Sequence, residues 1–477
     1  MTRLFLLYAL LVLSVPLSMC DNRRWRYERE SSQVSFMDLW KQHHDSVKPT
    51  ALGFKNFSCP THKIDKNYVP KNVHMVRPEN IGVIGALGDS ITAGTGAGAT
   101  SANNIWSTGY RSMSFSIGGS DSLKTLITLP NIIRRFNFEL YGASLVDDAN
   151  FNVAVPGSRA RDMPAQAKEL IRRLASRPQL QDSWKLITIF IGTNDICHSC
   201  YTDVESYRRA PKPWVRDIDH AISILAYSLT KTFVNVVTVP PIWQLRQYEV
   251  YDSCTNCRCV TATYKYHKTT DSVNRKYQDG LYDLMGKHER SDFTVVVQPF
   301  LWSMVFPTKG SKGPDLSFVS PDCFHYSRRW HAAAAAGLWN NMLQSVNDKS
   351  RRLNLTTISL RCPSPTCPYL RTAANSLNCT ESYLMNLELT SFTASVSTVV
   401  PWLEAEEETT SGAVIWVFLV ILFAGAVIAG GAFYCYRQKH RRGNMNLGRL
   451  ASRTPSEDPQ VPLIAVNDLR EQGERLQ

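Results

Sequence analysis

Short apolar runs recur through the middle of the chain and alternate with longer segments whose apolar residues follow a helical spacing. The short runs are apolar without alternation, which is typical of strands buried on both faces of a parallel sheet. Such strands are predicted at 83–87, 152–155, 186–191, 234–239 and 293–297. Helices are predicted between and after them, at 123–138, 164–175, 215–231, 271–285 and 328–346. This alternation predicts an α/β fold, a three-layer α/β/α sandwich with a central parallel sheet of about five strands.

Two apolar runs lie outside this pattern, one near each end of the chain. Residues 4–17 follow the basic Arg3 and precede small residues at Ser18 and Cys20, which predicts a secretory signal peptide over 1–20. Residues 413–434 carry no charge and are long enough to cross a bilayer as a helix. Glutamates precede this run and basic residues follow it, so the positive-inside rule places the C-terminus in the cytosol. The pattern predicts a single-pass type I protein of the cell membrane with an extracellular body.

Composition divides the rest of the chain. We interpret 21–75 as a polar N-terminal extension, 76–350 as the main domain, 351–388 as a cysteine-rich C-terminal flap and 389–412 as a stalk rich in Ser, Thr and Glu. The transmembrane helix is then expected at 413–436, and the cytosolic tail at 437–477. Three sequons in polar surroundings predict glycosylation at Asn56, Asn354 and Asn378.

The cysteines agree with a secreted body. Of the twelve, Cys20 and Cys435 lie in the predicted signal peptide and at the end of the predicted span, and the remaining number is even. Disulfides are therefore expected, with their pairing left open, and Cys59 is available to tie down the N-terminal extension. Cys197-x-x-Cys200 could instead hold zinc, but no matching histidine pair accompanies it, so no metal is expected.

The net charge of +12 adds little to this picture. No cluster of Lys and Arg interleaved with aromatic residues occurs in the predicted extracellular part, so the sequence does not favour nucleic-acid binding. A mildly basic surface suits anionic lipid head groups better.

Candidate chemistry begins where the first predicted strand ends, at Gly88-Asp89-Ser90-Ile91-Thr92. Reactive groups in open α/β sheets collect at the carboxyl ends of the strands, so Ser90 is a candidate nucleophile. The glycine-rich stretch 94–98 lacks both the Lys-Ser/Thr of a phosphate-binding loop and the spacing of a dinucleotide fingerprint. A nucleophile elbow also fails, because no glycine lies two residues after Ser90. We interpret these glycines as room for an acyl ester to approach the backbone.

A serine nucleophile needs a base, and the base needs a group that orients it. Asp322 and His325 are three residues apart on a predicted loop before the last helix, a spacing at which the carboxylate can reach the imidazole Nδ1. Oxyanion donors are expected from the Gly157 backbone N–H and the Asn194 side-chain amide, each after a predicted strand.

Other polar residues near these segments have simpler interpretations. His331 has no acid three residues before it and is expected to face outward or pack in its helix, while His198 is expected to line a loop. Asp89 is interpreted as tying the turn, and Asp195 as a neighbour of the site rather than a catalyst.

Four segments resemble, in this order, the blocks of the SGNH (GDSL) hydrolase family. They are the segments that carry Ser90, Gly157, Asn194 and the pair Asp322 and His325. The strings Asn194-Asp195-Ile196-Cys197 and Asp322-Cys323-Phe324-His325-Tyr326-Ser327 look most like the membrane-associated phospholipase B subfamily, over roughly residues 30 to 350. Ile91 departs from the family's usual Leu. By position, the resemblance implies that Ser90 is the nucleophile and one oxyanion donor, that Gly157 and Asn194 complete the oxyanion hole, and that Asp322 orients His325.

The resemblance also implies a function. It indicates a cell-surface serine ester hydrolase that deacylates phospholipids and lysophospholipids and releases fatty acids, anchored by one helix and acting without a cofactor. The residues themselves indicate acyl transfer only. Two alternatives therefore stay open: an esterase of the same family that acts on another acyl or acetyl ester, and a non-catalytic surface-recognition module on the same fold.

Overall fold

A parallel sheet of four strands forms the centre of the molecule. The computed structural model describes residues 35–48, 51–200, 203–248, 257, 267–309 and 313–387. The strands are β1 (Ile81–Gly88), β2 (Trp184–Phe190), β3 (Thr232–Val237) and β4 (Phe293–Gln298), and they lie side by side in that order. Nearly all of their residues are buried, as the uninterrupted apolar runs predict. A separate two-stranded pair joins β5 (Ser303–Met304) to β6 (Arg352–Leu353).

Helices cover both faces of this sheet. Those described are α1 (Phe36–Asp45), α2 (Leu129–Ile133), α3 (Met163–Ala175), α4 (Thr193–Ser199), α5 (Val204–Arg209), α6 (Pro211–Ser228), α7 (His267–Gly280), α8 (Arg328–Met342), α9 (Ala373–Leu377) and α10 (Glu381–Met385). Because the strand order runs in one direction, right-handed crossovers place α3, α6 and α7 together on one face. The opposite face is covered by α2 and α8. The predicted three-layer α/β/α fold is confirmed.

The sheet has four strands rather than about five, because the predicted strand 152–155 forms only an isolated bridge to β1. This segment does run along β1, where the Val153 N–H donates to the Ala86 carbonyl at 3.0 Å. The side chain of Asn152 then accepts from the Ala154 N–H at 3.2 Å. The Val155 N–H also reaches the Gly88 carbonyl at 3.2 Å, but the Gly88 N–H donates to the Gln166 side chain at 2.9 Å instead of to this segment, so the ladder stays incomplete.

The predicted helix 123–138 is also shorter in the structure, where only α2 is α-helical. The hydroxyl of Thr128 caps α2 by accepting from the Asn131 N–H, and Pro130 lies in its first turn. A helix that began at 123 would carry this proline in its interior, where the ring lacks an N–H and clashes with the preceding turn. The proline therefore fixes where the helix begins.

The ends of the described chain pack on the central domain and on each other. The Trp40 indole of α1 donates to the Val319 carbonyl at 2.9 Å, and the Asn72 side chain donates to the Leu384 carbonyl at 2.7 Å. Disulfides join Cys59 to Cys362 and Cys367 to Cys379, so the expectation of disulfides is confirmed. The N-terminal extension and the flap are thus tied together covalently.

The predicted signal peptide, stalk, span and tail lie outside the described residues, and the domain boundaries stay predictions. Among the residues that the structure describes, no helix is both long and apolar enough to cross a membrane. The three predicted glycosylation sites are all exposed, and their modification stays a prediction.

Replacing Cys59 and Cys362 together by Ser should lower the free energy of unfolding by roughly 2–5 kcal/mol. The two cysteines are 303 residues apart, so the bond removes much conformational freedom from the unfolded chain. The matched control replaces Cys367 and Cys379, which are 12 residues apart. Removing this disulfide should lower the free energy of unfolding by a smaller amount. Urea unfolding of the three proteins measures the difference, and a larger loss from the short-loop pair would contradict it.

Candidate active site

Ser90 lies in the turn directly after β1, recessed with 3% of its surface exposed. The turn is held locally: Asp89 Oδ1 accepts from the Ile91 N–H at 2.9 Å, and the Ser90 carbonyl accepts from the Thr95 N–H at 2.9 Å. Asp89 therefore ties the turn, as the sequence predicts. Within the described part of the chain the Ser90 N–H makes no hydrogen bond, so this donor is available to a substrate.

Gln166 holds the end of β1 in place and is not among the site residues predicted from the sequence. Its side-chain amide accepts from the Gly88 N–H and donates to the Gly88 carbonyl, both at 2.9 Å. It also donates to Ser158 Oγ at 3.1 Å, next to Gly157. One buried side chain thus connects the Ser90 turn to a candidate oxyanion segment. The available signal was a glutamine at helical spacing from Met163 and Leu170 on the buried face of α3.

Asp322 and His325 are in contact on the loop that precedes α8. The distance between His325 Nδ1 and Asp322 Oδ2 is 2.6 Å, while Asp322 Oδ1 accepts from the backbone N–H groups of Phe324 and His325. Burial alone would raise the pKa of Asp322, but the hydrogen bond and charge of His325, together with these N–H donors, hold that pKa below its usual value. Asp322 is therefore a carboxylate that fixes the imidazole ring. In the described residues His325 Nε2 makes no hydrogen bond and can take a proton.

The His325 loop packs directly against the turn that follows Ser90. A Cβ added at Gly96 would lie 3.2 Å from the Cβ of His325, and the Ala97 carbonyl accepts from the Arg328 N–H at 2.7 Å. A Cβ added at Gly94 would likewise clash with the backbone of Tyr110. The interpretation of these glycines as room for an acyl ester is therefore wrong. Gly96 lets the His325 loop approach the Ser90 turn, because a side chain at this position would push the two apart.

The two further oxyanion candidates follow neighbouring parts of the sheet. Asn194 lies in the first turn of α4, after β2, and its Nδ2 donates to the Ser158 carbonyl at 2.9 Å. Gly157 is exposed, has a φ of 83°, and an added Cβ would meet nothing within 4 Å. No partner for the Gly157 N–H exists among the described residues. The hydrogen bond from Asn194 therefore keeps its amide beside the Gly157 segment.

Two carboxyl groups are buried beneath this site. Burial raises the pKa of Asp89 to about 6, partly offset by the Ile91 N–H and by the charge of His325. Burial and the negative charge of Asp89 also raise the pKa of Asp195, to about 7. The hydrogen bond from the Ala160 N–H acts in the opposite direction and lowers this pKa. Tyr277, fully buried nearby, donates to the Ile191 carbonyl at 2.5 Å. Asp195 is thus a neighbour of the site that ties Ala160 to α4.

The other histidines near these segments are placed as follows. His331 is fully buried in α8, where its Nδ1 accepts from the Phe115 N–H at 3.2 Å, so it packs within the helix. His198 is exposed on α4, a helix rather than the expected loop.

The cysteines beside the site are bonded rather than metal-ligating. Cys197 forms a disulfide with Cys257, and Cys200 and Cys323 are also disulfide-bonded. No group of three or more potential metal ligands occurs in the described residues. Disulfides therefore anchor the helix that carries Asn194 and the loop that carries Asp322 and His325.

Comparison with protein families gives a match over residues 84–338 to the GDSL-like Lipase/Acylhydrolase model, more than half of the chain. The chain belongs to this family. The matched range includes Ser90, Gly157, Asn194, Asp322 and His325.

Three relatives carry the name "Phospholipase B1, membrane-associated". The chain is 40% identical to the human protein over 348 residues and 39% identical to the rat protein over 350 residues, in each case over 69% of this chain. The mouse protein is 39% identical over 351 residues. The chain spans about a quarter of the length of these relatives (24% for human and rat, 23% for mouse).

Two solved structures are also similar, an extracellular lipase from Streptomyces rimosus and a phospholipase A1 from Streptomyces albidoflavus. Each match covers 52% of this chain, and 94% and 93% of the two bacterial chains, at 16% and 15% identity. The TM-scores are 0.28 and 0.26, too low to inform fold or function.

Asp195→Asn should change how stability depends on pH. The raised pKa of Asp195 means that the fold favours the protonated carboxyl, so its contribution to stability is complete below about pH 4 and is lost as the pH rises to about 7. Asparagine does not titrate and keeps an oxygen for the Ala160 N–H. The melting temperature of the variant minus that of the wild type should therefore increase between pH 4 and pH 7.5.

Differential scanning fluorimetry of both proteins across this range makes the measurement. Asp65→Asn, which removes an exposed carboxylate, is the control, and a rise of the same size in that variant would show that the effect is not specific to Asp195. A difference for Asp195→Asn that stays constant or decreases would show that Asp195 is not protonated in the fold.

Proposed function

We propose that the chain is a serine ester hydrolase that deacylates phospholipids and lysophospholipids at the cell surface and releases fatty acids. The observation that carries the proposal is the 2.6 Å contact between Asp322 and His325, on a loop packed against the Ser90 turn. An oriented imidazole with a free Nε2 beside a recessed serine is the arrangement that nucleophilic acyl transfer needs.

In the first half of the reaction, His325 Nε2 accepts the proton of Ser90 Oγ while Oγ attacks the carbonyl carbon of the ester. Asp322 stabilises the imidazolium that forms. Negative charge develops on the carbonyl oxygen, and the N–H groups of Ser90 and Gly157 and the Asn194 amide donate to it. The tetrahedral intermediate then expels the glycerol oxygen, which takes the proton from His325. The products are an acyl ester on Ser90 and a lipid with one chain fewer.

In the second half, water replaces the alcohol. His325 takes a proton from the water while the water oxygen attacks the acyl carbon, and the same donors stabilise the oxyanion. Ser90 Oγ then leaves and takes back the proton from His325. The free fatty acid is released and Ser90 is regenerated. None of these steps uses a metal or a cofactor.

The choice of phospholipid as substrate is supported by family membership and by the printed name of the relatives. The membrane location follows from the same name and from the predicted signal peptide and span at 413–436, with the catalytic domain outside the cell. The predicted glycans at Asn56, Asn354 and Asn378 would lie on that exposed part. Hydrolysis of another acyl or acetyl ester, and binding without catalysis, are the outcomes that a substrate panel separates.

Ser90→Ala should abolish release of fatty acid from phosphatidylcholine and lysophosphatidylcholine, because an alanine side chain has no hydroxyl that can attack the ester and carry the acyl group. Full-length protein is assayed by mass spectrometry of lipids, with acetyl esters in the same panel. Ser122→Ala, which changes an exposed serine, is the control and should keep full activity. Fatty-acid release by Ser90→Ala at the wild-type rate would refute the assignment. Wild-type activity on acetyl esters alone would favour the other esterase.

Asn194→Ala should lower kcat by about 10²–10³-fold with a smaller effect on KM, since an oxyanion donor acts mainly in the transition state. Steady-state kinetics on the substrate identified above give the two constants, and melting temperatures show whether the fold is kept. Asn67→Ala, at an exposed asparagine, is the control and should match the wild type. An unchanged kcat for Asn194→Ala would remove this residue from the oxyanion hole.

A further inference from the structure

Trp106 is a large apolar side chain that lies exposed beside the proposed catalytic base. Its ring meets the His325 ring edge-on, with the centroids 5.6 Å apart, and 66% of the residue is accessible to solvent. His325 itself is 4% exposed and Ser90 3%. An ester that reaches Ser90 must therefore leave its surroundings and enter a recessed site whose edge carries an indole.

Three more exposed apolar residues lie around the same segments. They are Leu145, Val146 and Val155, between 46% and 56% exposed. We call these three residues, together with Trp106, the apolar rim.

Backbone contacts tie the rim to the Ser90 turn. The Gly96 N–H donates to the carbonyl of Ile105, the neighbour of Trp106, at 2.9 Å. The Val155 N–H donates to the Gly88 carbonyl, at the end of β1, at 3.2 Å. Both sides of the turn therefore carry a rim residue.

Two further contacts join the parts of the rim to each other. Arg111 Nη1 donates to the Ala154 carbonyl at 3.0 Å, which links the Trp106 loop to the Val155 segment. A Cβ added at Gly109 would lie 3.4 Å from Val146 Cγ1, which places Val146 against the same loop. These contacts bring the segments that carry Trp106, Val146 and Val155 together beside the proposed catalytic centre.

Exposure alone does not distinguish these residues, because single exposed apolar side chains are ordinary on protein surfaces. Phe138 is 71% exposed and lies under the Lys66 ammonium, and Tyr227 is 94% exposed on α6. What distinguishes the rim is the contact between Trp106 and the proposed base, combined with apolar neighbours on either side of the turn.

We propose that the apolar rim contacts the surface of a phospholipid bilayer, with the Trp106 indole at the level of the head groups. This inference rests on the proposed function, which makes a lipid ester the substrate of the adjoining Ser90. Tryptophan suits that position because its ring is apolar and its N–H can stay hydrated. The rim is flanked by both signs of charge, with Asp147 and Asp148 exposed next to Val146 and Arg161 exposed beyond Gly157, which suits a zwitterionic head group. Docking brings the ester bond to the mouth of the site.

The test measures vesicle binding without catalysis. Full-length Ser90→Ala protein is held in amphipol, which covers any membrane-spanning segment, and is floated with phosphatidylcholine vesicles. Adding Trp106→Asp should lower the partition coefficient at least tenfold, because a carboxylate would have to be desolvated at the bilayer surface. Val146→Asp, away from the proposed base, should lower it in the same direction. Phe138→Asp is the matched control and should leave binding unchanged.

The outcomes separate this proposal from the proposed function. If neither rim variant weakens binding, or if Phe138→Asp weakens it equally, the rim is not the docking surface, whether or not the wild type releases fatty acids. If the rim variants weaken binding but the wild type hydrolyses no phospholipid, the surface stands and the proposed reaction fails. Melting temperatures of all variants show whether each is folded. If Trp106→Asp is unfolded, vesicle binding by Val146→Asp decides whether the rim is the docking surface.

Discussion

The parallel alignment of β1 and β2 is the constraint on which the site depends. Gly88 pairs with Phe190, so both strands end at the same level. The chain leaves β1 into the Ser90 turn and leaves β2 toward Asn194, only a few residues further on. The proposed nucleophile and a proposed oxyanion donor, which are about a hundred residues apart in sequence, therefore emerge at one edge of the sheet. A shift of β2 by one residue in this pairing would turn its side chains to the opposite face of the sheet.

Contacts across that edge hold the separate segments in place. Gln166 links the end of β1 to Ser158, and the Asn194 amide reaches the Ser158 carbonyl from the other side. Gly96 allows the His325 loop to close against the Ser90 turn. Cys197 and Cys323 each take part in a disulfide. These bonds anchor the helix that carries Asn194 and the loop that carries His325. The site is thus pre-organised by hydrogen bonds and covalent links before any substrate binds.

The same arrangement explains why apolar and buried acidic groups lie so close together. Asp89 accepts from the Ile91 N–H and Asp195 from the Ala160 N–H, and burial keeps the pKa of each carboxyl raised. Trp106 and Val155, in contrast, are exposed to solvent. Buried carboxyl groups, the recessed candidate catalytic groups and exposed apolar side chains therefore lie in neighbouring segments. This arrangement suits the proposed reaction on an ester delivered from a lipid surface.

The sequence by itself determined what depends on neighbours along the chain. Apolar runs predicted β1 to β4, because a strand buried on both faces needs no polar alternation. The three-residue spacing of Asp322 and His325 predicted their contact, because one turn of backbone brings them together. Only the tertiary structure decided the rest. In the tertiary structure the segment 152–155 forms only an isolated bridge, and the His325 loop occupies the space beside Gly96. Gln166 contacts the end of β1, and Trp106 contacts His325. Each of these depends on residues that are distant in sequence, and a local pattern carries no information about which distant side chain will occupy a given space.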